Sequence, residues 1–243
     1  MDAPAPRIEV HPDAAALATT IAGELVSRLA DAQAAGVVPA VCLTGGTIAD
    51  AVHREIGRLG PDSGVDWAAV DFWWGDERYV DLDSPDRLST AAREAFLGPL
   101  GVPEARIHAF PTPSSACSVD EAARAYGAEL RLAPQHEFLV TMLGIGPDGH
   151  VASLFPGFPQ LASEDITVGV TGSPKPPPAR MLLTFPALGH SASVWFMASG
   201  DGKADAVRRA LAEDGSIEET PARGVHGSTE TIWFLDQAAA SQV

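Results

Sequence analysis

The chain is poor in cysteine, poor in positive charge and free of long apolar runs, and each shortage removes a class of protein. Only Cys42 and Cys117 occur in 243 residues, far apart and without CxxC spacing. They support neither a disulfide framework nor a zinc ribbon, so both are expected to be reduced, buried thiols. Lys and Arg number 16 against 32 Asp and Glu, a formal charge of −16. So acidic a surface does not attract nucleic acid or anionic membrane, and any phosphate must be held by a few local cations. Residues 1–7 lack a basic region leading into an apolar one, and no run approaches the roughly 18 apolar residues of a membrane span. A cytoplasmic protein, flexible over 1–7, is expected.

What is present suits one globular unit, because 46% hydrophobic residues in a chain of this length can fill a single sizeable core. One domain over 1–243 is expected. Short apolar runs alternate with Ala-rich amphipathic segments, the pattern of an α/β fold: an open, mostly parallel sheet with helices on both faces. Strands are expected at 40–43, 70–74, 138–143, 181–184, 193–198 and 231–235. Leu17, Ile21, Leu25 and Leu29 recur at i+4 and mark the first helix. Further helices are expected at 48–59, 89–97, 119–132 and 203–212. The proline run 174–178 reads as an extended lead into the strand that follows.

The unusual residues fall just beyond the C-terminal ends of the expected strands, where open α/β sheets bind ligands. Gly45-Gly46-Thr47 opens a helix with two glycines, so that backbone N–H groups and the Thr47 hydroxyl can approach an anion. No Gly-Lys-Ser/Thr follows, so it is not a Walker loop. Trp73 and Trp74 read as core, after which Asp76-Glu77-Arg78 presents three charges. Asp76 and Arg78 are candidates for substrate contact or for a surface ion pair.

The run 144–149, Gly-Ile-Gly-Pro-Asp-Gly, literally matches G-x-G-x-x-G. A dinucleotide site also requires a long helix next and an acidic residue closing a second strand about 20 residues on. Pro156-Gly157 comes too soon for that helix. The loop instead holds His150 on a stiff turn beside Asp148, and imidazole is the side chain suited to proton transfer near neutrality. His11, His53, His108, His136, His190 and His226 are taken as structural, since no pair has helical zinc-site spacing. Arg180 and Lys203 are candidates for phosphate or carboxylate recognition. Ser153 lacks a nucleophile elbow, so a covalent serine mechanism is not expected.

Taken together, the segments 43–47, 74–78 and 144–157 resemble the 6-phosphogluconolactonase family, and Pro176-Pro177 before Arg180 and Gly202-Lys203-Ala204 fit in order and spacing. The resemblance implies hydrolysis of 6-phospho-D-glucono-1,5-lactone to 6-phosphogluconate without metal or organic cofactor; whether the chain acts as a monomer or homodimer stays open. It implies His150 as the base that activates water and Asp76 and Arg78 at the sugar. Gly45, Gly46, Thr47, Arg180 and Lys203 would surround the phosphate. Which carboxylate orients His150, Asp148 or Asp76, stays open. Two positions depart from the pattern: Leu88 stands where the family usually has Asn, and Thr47-Ile48-Ala49 where Ser/Thr-Pro is common.

Two other readings compete. Glucosamine-6-phosphate deaminases share the glycine loop and the Asp-Gly-His core, but carry a Glu shortly after the histidine that assists ring opening. Residues 151–156 contain no carboxylate. A sugar-phosphate sensor would need a DNA-binding module, and the residues before the first expected strand hold one good helix.

Overall fold

The computed structural model describes residues 5–134 and 137–243. His136 and the first four residues of the segment expected to be flexible lie outside the described residues. The chain runs β1 (Arg7–His11), α1 (Ala14–Ala34), β2 (Ala40–Leu43), α2 (Thr47–Leu59), β3 (Asp71–Trp74), β4 (Asp76–Arg78), α3 (Leu88–Ala92), α4 (Val119–Leu132) and β5 (Phe138–Gly144). It continues through β6 (Thr167–Val170), β7 (Arg180–Leu183), α5 (Phe185–Leu188), β8 (Ser191–Ala198), α6 (Ala204–Leu211) and β9 (Glu230–Asp236).

Six strands form a parallel sheet in the order β1-β9-β8-β5-β2-β3. All four residues of β2 and of β3 are buried, as expected of strands covered on both faces. Strand β3 shows the two coverings through its alternation. Phe72 packs edge-on against Phe96, beyond α3, at 5.5 Å, while Trp73 meets Tyr126 of α4 on the opposite face, also at 5.5 Å. The four leucine and isoleucine residues of the α1 stripe are fully buried, each burial worth roughly 1.5–3 kcal/mol. Asp13 caps α1 by accepting from the Ala15 and Ala16 N–H groups at 3.0 and 2.9 Å. Among the described residues no helix is long and apolar enough to cross a membrane.

Several expectations need correction. The run 181–184 is not in the main sheet: Arg180–Leu183 is the middle strand of a separate antiparallel sheet, β4-β7-β6. The first strand is β1, an edge strand whose charged residues alternate with Ile8 and Val10, so part of the segment expected to be flexible is paired with β9. The helix expected at 89–97 is α3 followed by a π-helical turn, Arg93–Leu97. Lys203 ends a 3-10 turn immediately before α6. Cys42 is a buried thiol, but Cys117 is an exposed one because it lies in the turn before α4.

The topology places a switch point between β2 and β5. After β2 the chain moves outward to β3, and after β5 it moves the other way, to β8. The loops leaving β2 and β5 therefore flank a crevice at the C-terminal edge, the position at which this architecture binds ligands. The small antiparallel sheet supplies a further wall, since the chain turns out of β3 at Gly75, whose carbonyl accepts from Leu183 N–H at 2.8 Å.

Candidate active site

A cavity of about 590 Å³ opens at this crevice. Every site residue expected from the sequence except Asp148 lines it, namely Gly45, Gly46, Thr47, Asp76, Arg78, His150, Arg180 and Lys203. Asp148 lies directly behind His150. A second cavity of about 330 Å³, among Trp73, Leu130 and His190, contains none of these residues.

The β5 loop is a tight turn in which Gly149 N–H donates to Gly146 C=O and Gly146 N–H to His150 C=O, each at 2.9 Å. No long helix follows: 151–158 is made of turns and a single bridge, which removes the helix N-terminus that a dinucleotide pyrophosphate requires. The turn folds Asp148 back on His150, with 2.5 Å between Oδ1 and Nδ1. Of the two carboxylates, Asp148 contacts the ring, whereas Asp76 is bonded to Ser153. Burial raises the Asp148 pKa, but the hydrogen bond from His150 and the charges of His150 and Lys175 outweigh it and hold the carboxyl at about 2. An ionised carboxylate only accepts, so in the neutral imidazole the Nδ1 proton points to Asp148 and the lone pair is on Nε2. Phe155 supports the ring at 4.6 Å. A Cβ on Gly146 would stand 2.0 Å from Nδ1, so the turn requires glycine for close approach.

Strand β4 divides its three charges by strand periodicity. Asp76 and Arg78 face the cavity, whereas Glu77 is fully buried on the other side. Glu77 accepts from Leu88 and Ser89 N–H at 2.8 Å, tying down the start of α3. Burial raises its pKa against the opposing pull of Arg87 and these N–H groups. No Asp76–Arg78 ion pair forms. Asp76 Oδ2 accepts from Ser153 Oγ at 2.5 Å, and Arg78 Nη1 donates to Asp86 C=O at 2.6 Å. Ser153 in turn accepts from Arg180 Nη1 at 3.3 Å. Ala152 and Ser153 have φ of 44° and 57°, a left-handed conformation that costs non-glycine residues of order 1–3 kcal/mol, and the Asp76–Ser153–Arg180 chain holds them in it.

The β2 loop opens α2 at Gly46, whose φ of 108° is in a region reserved for glycine. No side chain caps this helix start, and its first residues, Gly46, Thr47 and Ile48, line the cavity. Leu88 packs onto Gly45 and lines the cavity; it supplies an apolar wall with no donor. Arg180 is buried, and four of its five N–H groups are committed: Nε to Pro177 C=O, Nη2 to the Lys175 and Pro176 carbonyls, and Nη1 to Ser153. Lys203 Nζ donates to Ile145 C=O at 2.6 Å, and burial together with the neighbouring Lys175 charge lowers its pKa.

Arg54, Ser153 and Lys175 also line the cavity, although none was among the candidate site residues. Arg54 reaches the rim from α2, Ser153 links Asp76 to Arg180, and Lys175 comes from the proline run, which curls over the site rather than only leading into a strand. A compositional signal points to Lys175: the chain has just two lysines, Lys175 and Lys203, and both line this cavity.

Comparison with known proteins identifies the family. The 6-phosphogluconolactonase of Streptomyces coelicolor is 40% identical over 248 residues, covering 98% of this chain and 95% of that protein. The crystal structure of 6-phosphogluconolactonase from Thermotoga maritima superposes with a TM-score of 0.83 at 26% identity, covering 95% of this chain and 99% of that one. A monomeric glucosamine-6-phosphate deaminase has a TM-score of 0.82 at 20% identity, covering 98% and 100%, a likeness of fold alone. The family of glucosamine-6-phosphate isomerases and 6-phosphogluconolactonase matches residues 12–233, and the chain belongs to it.

Proposed function

We propose that this protein hydrolyses 6-phospho-D-glucono-1,5-lactone to 6-phospho-D-gluconate, the lactone-opening step of the oxidative pentose phosphate pathway, with His150 as general base. The observation that carries the reading is the 2.5 Å Asp148–His150 hydrogen bond, which leaves Nε2 as an acceptor inside a cationic cavity. A water hydrogen-bonded to Nε2 gives up its proton as its oxygen bonds to the lactone C1. The carbonyl electron pair moves onto oxygen, then returns as the C1–ring oxygen bond breaks, and the ring oxygen takes the proton from Nε2. One water is consumed and His150 is restored.

A lactone is an activated ester, so one positioned base, worth roughly 10²–10⁴-fold, acting on an oriented substrate is sufficient chemistry. Asp76 keeps Oδ1 free to accept a sugar hydroxyl, and Arg78 stands beside it. The phosphate fits the start of α2, where the Thr47 hydroxyl and uncapped N–H groups meet the positive helix end. Lys203 has N–H groups to spare, and Arg180 contributes its charge and one remaining N–H. Residues 151–156 offer no carboxylate to assist ring opening, which favours hydrolysis over isomerisation. We place the reaction in the cytoplasm and assign it to a monomer or homodimer, since one chain supplies all these groups.

The test supplies freshly generated 6-phosphogluconolactone and, separately, glucosamine 6-phosphate, following acid release and ammonia release. Acid release well above the spontaneous rate, without ammonia release, is expected. Hydrolysis no faster than the spontaneous reaction would sink the reading.

A further inference from the structure

Addition of water to C1 places negative charge on the carbonyl oxygen, and a donor or cation is needed where that charge develops. Geometry limits the candidates. The attacked carbon lies about 3–3.5 Å from a water that is itself about 3 Å from Nε2, so the donor must approach the His150 ring closely. Lys203 Nζ gives one N–H to Ile145 C=O and its others, like the one spare N–H of Arg180, are assigned to the phosphate, while Arg78 is turned to Asp86 C=O and Arg54 is exposed at the rim. Lys175 Nζ is 3.5 Å from His150 Nδ1. Because the Nδ1 proton is given to Asp148, the ammonium donates nothing to that nitrogen. Lys175 forms no salt bridge among the described residues.

The backbone that carries the Lys175 side chain is braced. Ser173 Oγ donates to Lys175 C=O at 3.1 Å, Lys175 N–H donates back to Ser173 Oγ at 3.2 Å, and Arg180 Nη2 holds the same carbonyl at 3.2 Å. The loop is closed by Ser173 N–H donating to Pro178 C=O at 3.0 Å. Four hydrogen bonds therefore fix the backbone from which this half-buried cation extends into the cavity.

We propose that Lys175 stabilises the oxyanion of the tetrahedral intermediate. The proposal rests on the lactonase reading. As water oxygen bonds to C1, the carbonyl pair moves onto oxygen and is met by an N–H of Lys175; no proton passes to or from the lysine. The pair returns when the ring oxygen leaves with the proton from His150.

Wild type, Lys175→Met and Lys175→Arg are compared for kcat and KM with the lactone, net of spontaneous hydrolysis. Affinity for glucitol 6-phosphate, which has the phosphate and hydroxyls but no carbonyl, and thermal midpoint are measured alongside. The expected result is a kcat lower by about 10²–10³-fold in Lys175→Met, with KM and glucitol 6-phosphate affinity within about threefold of wild type. Lys175→Arg should recover at least about tenfold of the loss, because it restores charge and donors. Loss of glucitol 6-phosphate affinity with kcat retained would overturn the proposal and make Lys175 a phosphate ligand. So would wild-type kcat in a folded Lys175→Met. Either leaves the lactonase reading intact, whereas a wild type that does not accelerate hydrolysis removes that reading first.

Discussion

A single methyl group on Gly146 tests the Asp148–His150 pair without substituting either residue. The Cβ of Gly146→Ala would lie 2.0 Å from His150 Nδ1 and 2.4 Å from Asp148 Oδ1, where ordinary contact begins at 3.4 Å. The imidazole must therefore retreat by about 1.4 Å or surrender its carboxylate partner. Misplacement of a reacting group by about 1 Å costs on the order of 10²-fold. Gly146 is not among the positive-φ glycines, so alanine brings no backbone penalty and the damage stays local. Overpacking of about 1–3 kcal/mol in a chain of this size lowers the thermal midpoint by about 2–12 °C, which leaves a folded protein at 25 °C. Initial rates of lactone hydrolysis should fall about 10²-fold or more, with glucitol 6-phosphate binding retained. A folded Gly146→Ala with near-wild-type kcat/KM would refute the assignment of this pair as the base.

Two further perturbations separate structure from chemistry. Burial, aided by the Arg54 charge, pushes the His53 pKa down from 6.5 to about 4; below pH 6.5 the unfolded chain takes up a proton that the folded one refuses. Stability should thus fall by roughly 3 kcal/mol as pH drops from 6.5 to 4, and His53→Leu should flatten most of that fall in urea unfolding; equal slopes in both proteins would contradict this. Ser153→Ala frees Asp76 and should lower kcat/KM by about tenfold through substrate orientation, with no covalent acyl-enzyme detectable by mass spectrometry in the wild type. A loss beyond about 10⁴-fold would instead mark Ser153 as a nucleophile.

The strands that could be read from the chain are those buried on both faces. Runs such as Ala40–Leu43 and Phe138–Gly144 are apolar because neither face meets water. The strands that could not be read are short and carry other signals: β1 alternates with charge at an edge, β4 consists wholly of Asp-Glu-Arg, and β6 contains Gly169. Their pairing depends on neighbours distant in sequence, and periodicity does not report that. The same limit hid Glu77, which reads like its charged neighbours but serves α3, and Lys175, masked by prolines. The loop motifs were legible because Gly46 and His150 perform their roles through local backbone. Arg180 was recognised as a cation at the site, but its commitment to the Lys175 loop emerges only when the second sheet is assembled.

The most direct test of the account is His150→Ala, measured for lactone turnover and for glucitol 6-phosphate affinity in one preparation. His150→Ala should lower kcat by about 10²–10⁴-fold with affinity within about threefold of wild type. Near-wild-type turnover by the folded variant would contradict it and move the base elsewhere in the cavity.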